Sequence, residues 1–143
     1  MNPILRNVLA VIAGIVVGSI VNMSLITISG KVIPPPAGVD VTNFESLKSS
    51  MHLFEPRHFI FPFLAHALGA LAGAYVASRL AASHKLKFAL GVGVFFLLGG
   101  LTNVFMLPSP TWFAVLDLVG AYIPMAWFGH RLAEKSSVKL ARV

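Results

Sequence analysis

The sequence predicts an all-α fold: an integral membrane four-helix bundle of up-down topology, with a short amphipathic helix in its first outer loop. Three observations predict it. Four apolar stretches, Val8–Ser29, Phe59–Leu80, Leu86–Leu107 and Trp112–Gly129, are each about 18–22 residues long, enough to cross a bilayer core. Only 11% of the 143 residues are charged while 57% are hydrophobic, against about 25% charged in an ordinary soluble domain. Positive charge, finally, is spread very unequally over the connectors. A soluble chain of this length has no interior for four such segments, so the lipid bilayer is the expected solvent and residues 1–143 form one transmembrane domain.

The first stretch is expected to stay attached. A cleavable signal has a shorter apolar core, about 7–15 residues, ending at a small-residue site. Val8–Ser29 is longer, and Thr27-Ile28-Ser29-Gly30-Lys31 is a poor site of that kind.

Residues 30–57 are the one sizeable loop. Pro34-Pro35-Pro36 is expected to be extended, since each proline fixes φ and lacks an N–H. Thr42-Asn43-Phe44-Glu45 then has the Thr-x-x-Glu form of a capping box. Phe44, Leu47, Met51 and Phe54 follow at spacings of three and four, which puts them on one helical face. Glu55-Pro56 ends the helix. Such a helix lies on the membrane surface or caps the bundle. It serves either as a clip holding the loop down or as a lid over a site.

The second and third stretches are joined by about five residues and the third and fourth by about four, which makes each pair antiparallel neighbours. If the segments alternate, eight of the eleven Lys and Arg residues fall on one side: Arg6, Arg79, Lys85, Lys87, Arg131, Lys135, Lys139 and Arg142. Lys31, Lys48 and Arg57 on the other side are offset by Asp40, Glu45 and Glu55. The positive-inside rule then places both termini, with the tail 131–143, in the cytoplasm. Phe59, Phe61, Phe63 and Trp112 near the outer boundary and Trp127 near the inner one suit interface-seeking rings. With no targeting or glycosylation feature in the exposed loop, the expected location is a bacterial inner membrane.

Buried polar groups are costly in lipid, so each needs a partner or a purpose. Four stand out: Asn22, His66, Asn103 and Asp117, one in each stretch. At about 1.5 Å of rise per residue they lie roughly 6–12 Å below the outer boundary. Asn22 shares a face with Gly14 and Gly18, and His66 with Gly69, Ala70 and Gly73. Asn103 aligns with Gly99, and Asp117 with Ala114, Ala121 and Pro124. Small residues are what allow close helix contact in lipid, so all four polar residues are expected to face neighbouring helices. Asp117 is the sharpest, because an ionised carboxylate in hydrocarbon requires a cation or several donors. A His66–Asp117 pair could share a proton, bind a metal, act as acid and base, or serve only as interhelical glue. Asn22 and Asn103 alone read more simply as glue.

His52, Glu55 and His58 carry ligand chemistry, but Pro56 breaks the helix that would align them, and no metal or cofactor is expected. Arg57, His58, His130 and Arg131 read as interfacial anchors. With no cysteine in the chain, disulfides, thiolate metal sites and cysteine nucleophiles are excluded. The net charge of +6 lies beside membrane segments, where anionic headgroups suit it, and no arginine–aromatic stripe supports nucleic-acid binding. Gly99-Gly100-Leu101-Thr102-Asn103-Val104-Phe105 resembles the Gly-Gly-x-Thr-Thr-Phe run of small four-helix fluoride channels. That resemblance covers seven residues, Asn103 replaces the second threonine, and the long loop and membrane aspartate depart from the family. No function is carried over from it.

Three classes of function remain. The leaning is toward small-molecule or ion binding and transport through the polar cluster. The alternatives are an accessory subunit of a larger membrane complex and a small membrane enzyme acting on lipid-like substrates. Nucleophile elbows, phosphate loops and paired-histidine metal motifs are all missing. Four short helices leave little room for a path, so a carrier would be a homo-oligomer, and the Gly14/Gly18 and Gly69/Gly73 spacings permit that association.

Overall fold

The computed structural model describes residues 1–140, and among these every regular element is helical. The elements are α1 (Pro3–Val32), α2 (Phe44–Ser50), α3 (Ile60–Leu80), α4 (Lys85–Met106), α5 (Thr111–Gly120) and α6 (Ile123–Leu140). Short 3₁₀ turns at Met51–Leu53 and Pro56–Phe59 link α2 to α3. Four helical units are long and apolar enough to cross a membrane: α1, the Pro56–Leu80 unit, α4, and α5 with α6 taken together. Arg142 and the side chain of Lys139, both counted in the charge asymmetry, lie outside the described residues.

The first helix runs 30 residues, longer at both ends than the apolar stretch. Asn2 explains the early start: its side-chain oxygen accepts the Ile4 N–H at 2.9 Å, and Pro3 follows at the first helical position, where a missing N–H costs nothing. Between α3 and α4 the chain reverses through His84, held at φ 45°, a region that histidine tolerates better than most residues.

The fourth stretch is not the single helix that the hydropathy predicts. It breaks at Ala121–Tyr122, between α5 and α6. Pro124 supplies the reason, since it has no N–H to give the Gly120 carbonyl and its ring crowds that carbonyl. Ala121 N–H still bonds Asp117 O at 2.9 Å, and the ladder resumes with Ala126 N–H to Tyr122 O at 2.9 Å. Ala121 therefore still stacks on the Asp117 face, and Pro124, beyond the break, does not continue it.

Helix α3 is the central element, in contact with α1, α4 and α6. Glycines set its distance from α1. A Cβ on Gly14 would stand 2.5 Å from the Gly73 carbonyl oxygen, and one on Gly18 would stand 2.6 Å from that of Gly69. The reverse contacts are 2.7 Å and 2.9 Å. Two small-xxx-small pairs thus meet backbone to backbone, with the two helices running in opposite senses. Alanines do the same toward α6: Ala70 and Ala74 are fully buried, Ala70 against Tyr122 and Ala74 against Gly129.

The α2 helix starts one residue later than the Thr-x-x-Glu box predicts. Asn43 is the cap, accepting the Ser46 N–H at 3.0 Å, while Thr42 is bound instead to Asp40. Of its apolar face, Met51 is buried with Phe59 and Phe113, and Leu47 and Phe54 pack on that cluster. Phe44 remains exposed. The loop is therefore clipped onto the bundle end formed by the starts of α3 and α5.

Candidate functional site

The structure brings His66 and Asp117 together. His66, on α3, places Nδ1 2.9 Å from both carboxylate oxygens of Asp117, on α5. A carboxylate has no donor of its own, so the imidazole Nδ1–H donates. Tyr122, the residue at the break, donates its hydroxyl to Asp117 Oδ2 at 2.8 Å. Its ring stacks beside His66, with centroids 5.6 Å apart and planes at 28°. Asp117 is only 3% exposed. Two donors on a buried carboxylate meet the demand that burial creates, and deleting one partner of such a pair costs about 3–5 kcal/mol.

The break in the fourth span positions this third partner. A continuous helix would turn residue 122 about 140° from residue 117. Interrupting it lets the Tyr122 side chain come back to Asp117. Gly100 on α4 provides the room, because a Cβ there would collide with the Tyr122 ring and hydroxyl. Tyr122 is itself 1% exposed and belongs to the cluster of Ala67, Ala70 and Ala121.

Asp117 is reached only through its partners. A groove of about 450 Å³ is lined by Ser19, Asn22 and Met23 of α1, by His66, by Phe96, Gly99, Gly100, Thr102 and Asn103 of α4, and by Tyr122. Asp117 stands behind the His66 and Tyr122 wall. His66 Nε2 makes no hydrogen bond to any described residue, yet no buried side-chain polar atom is left unpartnered, so Nε2 opens on the groove. The floor is closed by the helix contacts beneath it, where Gly14 meets Val92 and Gly18 meets Phe96.

Asn22 and Asn103 both line this groove, and neither amide bonds another described residue. Asn22 lies against Gly69, its Cβ 3.1 Å from where a Gly69 Cβ would be. Asn103 is exposed at the rim. It does not face a neighbouring helix as the glycine stripe predicts, because α1 and α4 diverge above Gly18 and Phe96. The two residues that read as glue are therefore free polar groups.

His52, Glu55 and His58 are used differently. The Glu55 N–H donates to His58 Nδ1 at 2.9 Å, a reciprocal cap on the turn that opens α3. Glu55 also pairs with Arg57 at 3.0 Å, and His52 is exposed. Among the described residues no three His, Cys, Asp or Glu side chains lie close enough to hold a metal ion. Glu55, Arg57 and His58, but not His52, border a second cavity of about 470 Å³ beside Pro34–Pro36, and its one Arg or Lys, Arg57, is paired with Glu55.

His130 is not an anchor. It is 7% exposed and its Nδ1 lies 2.7 Å from the Ser78 hydroxyl, across the α3–α6 contact. With Arg79 to Ser137 at 2.8 Å, it forms a polar seam at the end carrying the N-terminus. Arg131 is exposed, with its guanidinium over the Trp127 ring at 5.6 Å.

Sequence reasoning missed Tyr122 and the burial of His130. The signal for Tyr122 was present: it lies five residues past Asp117 and two before Pro124. No protein-family model, no curated protein and no solved structure matches this chain.

Proposed function

We propose that this is a four-span bacterial inner-membrane protein of up-down topology, with both termini cytoplasmic, that binds and transports a small molecule or ion at the His66–Asp117–Tyr122 cluster. The orientation is supported by Arg6, Arg79, Lys85, Lys87, Arg131 and Lys135 at one end of the bundle, against three cations matched by three acids at the other. One observation carries the functional reading. His66 is fixed through Nδ1 by a buried carboxylate while Nε2 faces a groove with two uncommitted amides. In that setting Nε2 takes up a proton or a ligand's donor, and Asp117 balances the resulting imidazolium.

The test is flux into vesicles containing the purified chain under an imposed proton or sodium gradient. Asp117→Asn keeps the side-chain shape and removes the charge, so gradient-driven uptake is expected to vanish. Unaltered uptake in that variant rejects the carrier reading.

A second reading rests on the same geometry. A histidine backed by a carboxylate and aimed into a groove is the arrangement of a general base, which suits a membrane enzyme acting on a lipid-like substrate. Chemical turnover of an added lipid, abolished by Asp117→Asn without any flux, would favour it.

A further inference from the structure

The groove has a direction and a chemistry, and together these restrict its occupant. Its walls are α1 and α4, which touch at Gly14–Val92 and Gly18–Phe96 and part above. The resulting mouth is on the side of the bundle. Ser19, Met23, Gly99, Thr102 and Asn103 around it are all exposed, and a Cβ on Gly99 would meet nothing within 4 Å. The surface on either side is apolar: Ile20 and Met23 on α1 are 61% and 62% exposed, and Leu98 on α4 is 58% exposed. No residue of α2 or of its loop lines the groove, so α2 is a clip and not its lid. A ligand entering here comes from among acyl chains.

The lining carries no Lys, Arg, Asp or Glu. The nearest full charge, on Asp117, is screened behind its two donors. What the groove presents is His66 Nε2, two amides and the hydroxyls of Ser19 and Thr102, beside the apolar Met23 and Phe96. A charged headgroup would find no counter-ion and would pay the full desolvation cost. An uncharged headgroup with hydroxyl or carbonyl groups would find several partners.

Building on the binding reading above, we infer that the ligand is an uncharged, hydroxyl-bearing amphiphile that enters sideways from the bilayer. Its head lies against His66 Nε2, Asn22 and Asn103, and its alkyl chain leaves past Gly99 and Met23. A volume of about 450 Å³ is within the usual range for small-molecule sites, roughly 300–1,000 Å³.

The experiment uses the full chain in nanodiscs and a monoacylglycerol bearing a photoreactive diazirine near its carbonyl. A phosphatidic acid with the same diazirine is the anionic comparison. Labelling by the monoacylglycerol is expected to concentrate on 19–23 and 96–103. Gly99→Phe places a ring at the mouth, at a position where a Cβ meets nothing within 4 Å. By obstructing entry it is expected to lower that labelling about tenfold, equivalent to roughly 1.4 kcal/mol of affinity, and to leave labelling of the exposed α1 face at 4–16 unchanged. An unchanged pattern in Gly99→Phe, or equal groove labelling by the anionic probe, overturns the inference. If labelling fails while Asp117→Asn still abolishes flux, the site stands and its ligand arrives from water. If the flux is also indifferent to Asp117→Asn, both readings fall.

Discussion

Tyr122 lays its ring over Gly100 and from there donates its hydroxyl to Asp117, 2.8 Å away. The tyrosine comes from a break in one span, the space from a glycine in another. Neither residue would hold the site without the other. Gly100→Ala is expected to displace the ring, and Tyr122→Phe to leave Asp117 with a single donor. Each should lower stability by about 1–3 kcal/mol, read as a fall in thermal or denaturant midpoint. Equal midpoints would show that the Tyr122–Asp117 bond is dispensable.

The break itself makes a separate prediction. Pro124→Ala restores an N–H that can bond the Gly120 carbonyl and join α5 to α6. Slowed amide exchange across 120–124 is expected, with loss of ligand or proton-coupled activity as Tyr122 swings off Asp117. Retained fast exchange would mean that packing, not proline, interrupts the helix.

Glycine contacts divide the chain into sensitive and tolerant positions. Gly14→Val and Gly73→Val put methyl groups where carbonyls now lie within 2.7 Å of the Cβ position, and overpacking of this kind costs about 1–3 kcal/mol or more. Gly30→Ala meets nothing within 4 Å and should be neutral or slightly stabilising through helix propensity. Comparable melting of the Gly14 and Gly30 variants would count against the α1–α3 contact.

The loop carries an acid-sensitive turn. Thr42 donates both its hydroxyl, at 2.6 Å, and its N–H, at 2.9 Å, to Asp40, which holds that carboxyl below its usual range. A depressed value in the folded state means the turn is supported above the ordinary carboxylate value and loosens as pH falls through the lowered one. Thr42 amide protection should therefore persist at mildly acid pH and disappear only in stronger acid, whereas Asp40→Asn should weaken it at neutral pH. A protection profile flat across that range would remove Asp40 from the account.

Orientation can be read with single cysteines, since the chain has none. A membrane-impermeant maleimide added to intact cells is expected to label Ser46→Cys in the α2 loop and to miss Ser83→Cys in the α3–α4 turn. The opposite pattern inverts the topology.

Hydropathy alone made the four apolar units legible, because lipid allows only segments that satisfy their own backbone. The same cost marked His66 and Asp117, and their 2.9 Å contact is where that reasoning reached furthest. It stopped at residues whose role depends on a neighbour's shape. Tyr122 reads as one more aromatic in an apolar run. His130 lies near a span end, where exposure and burial look alike in sequence, and Asn103 sits on a glycine stripe that turns out to face an opening.

The sequence by itself determined that there are four long apolar helical units and that Asp117 needs a partner, since both follow from transfer energies that act residue by residue. Tertiary structure alone decided that α1 and α4 part above Gly18, that Tyr122 turns back over Gly100 onto Asp117, and that Asn22 and Asn103 stay free. Those outcomes depend on how close two backbones can come. That distance is a property of facing pairs such as Gly14 with Gly73, and no single stretch of the chain contains it.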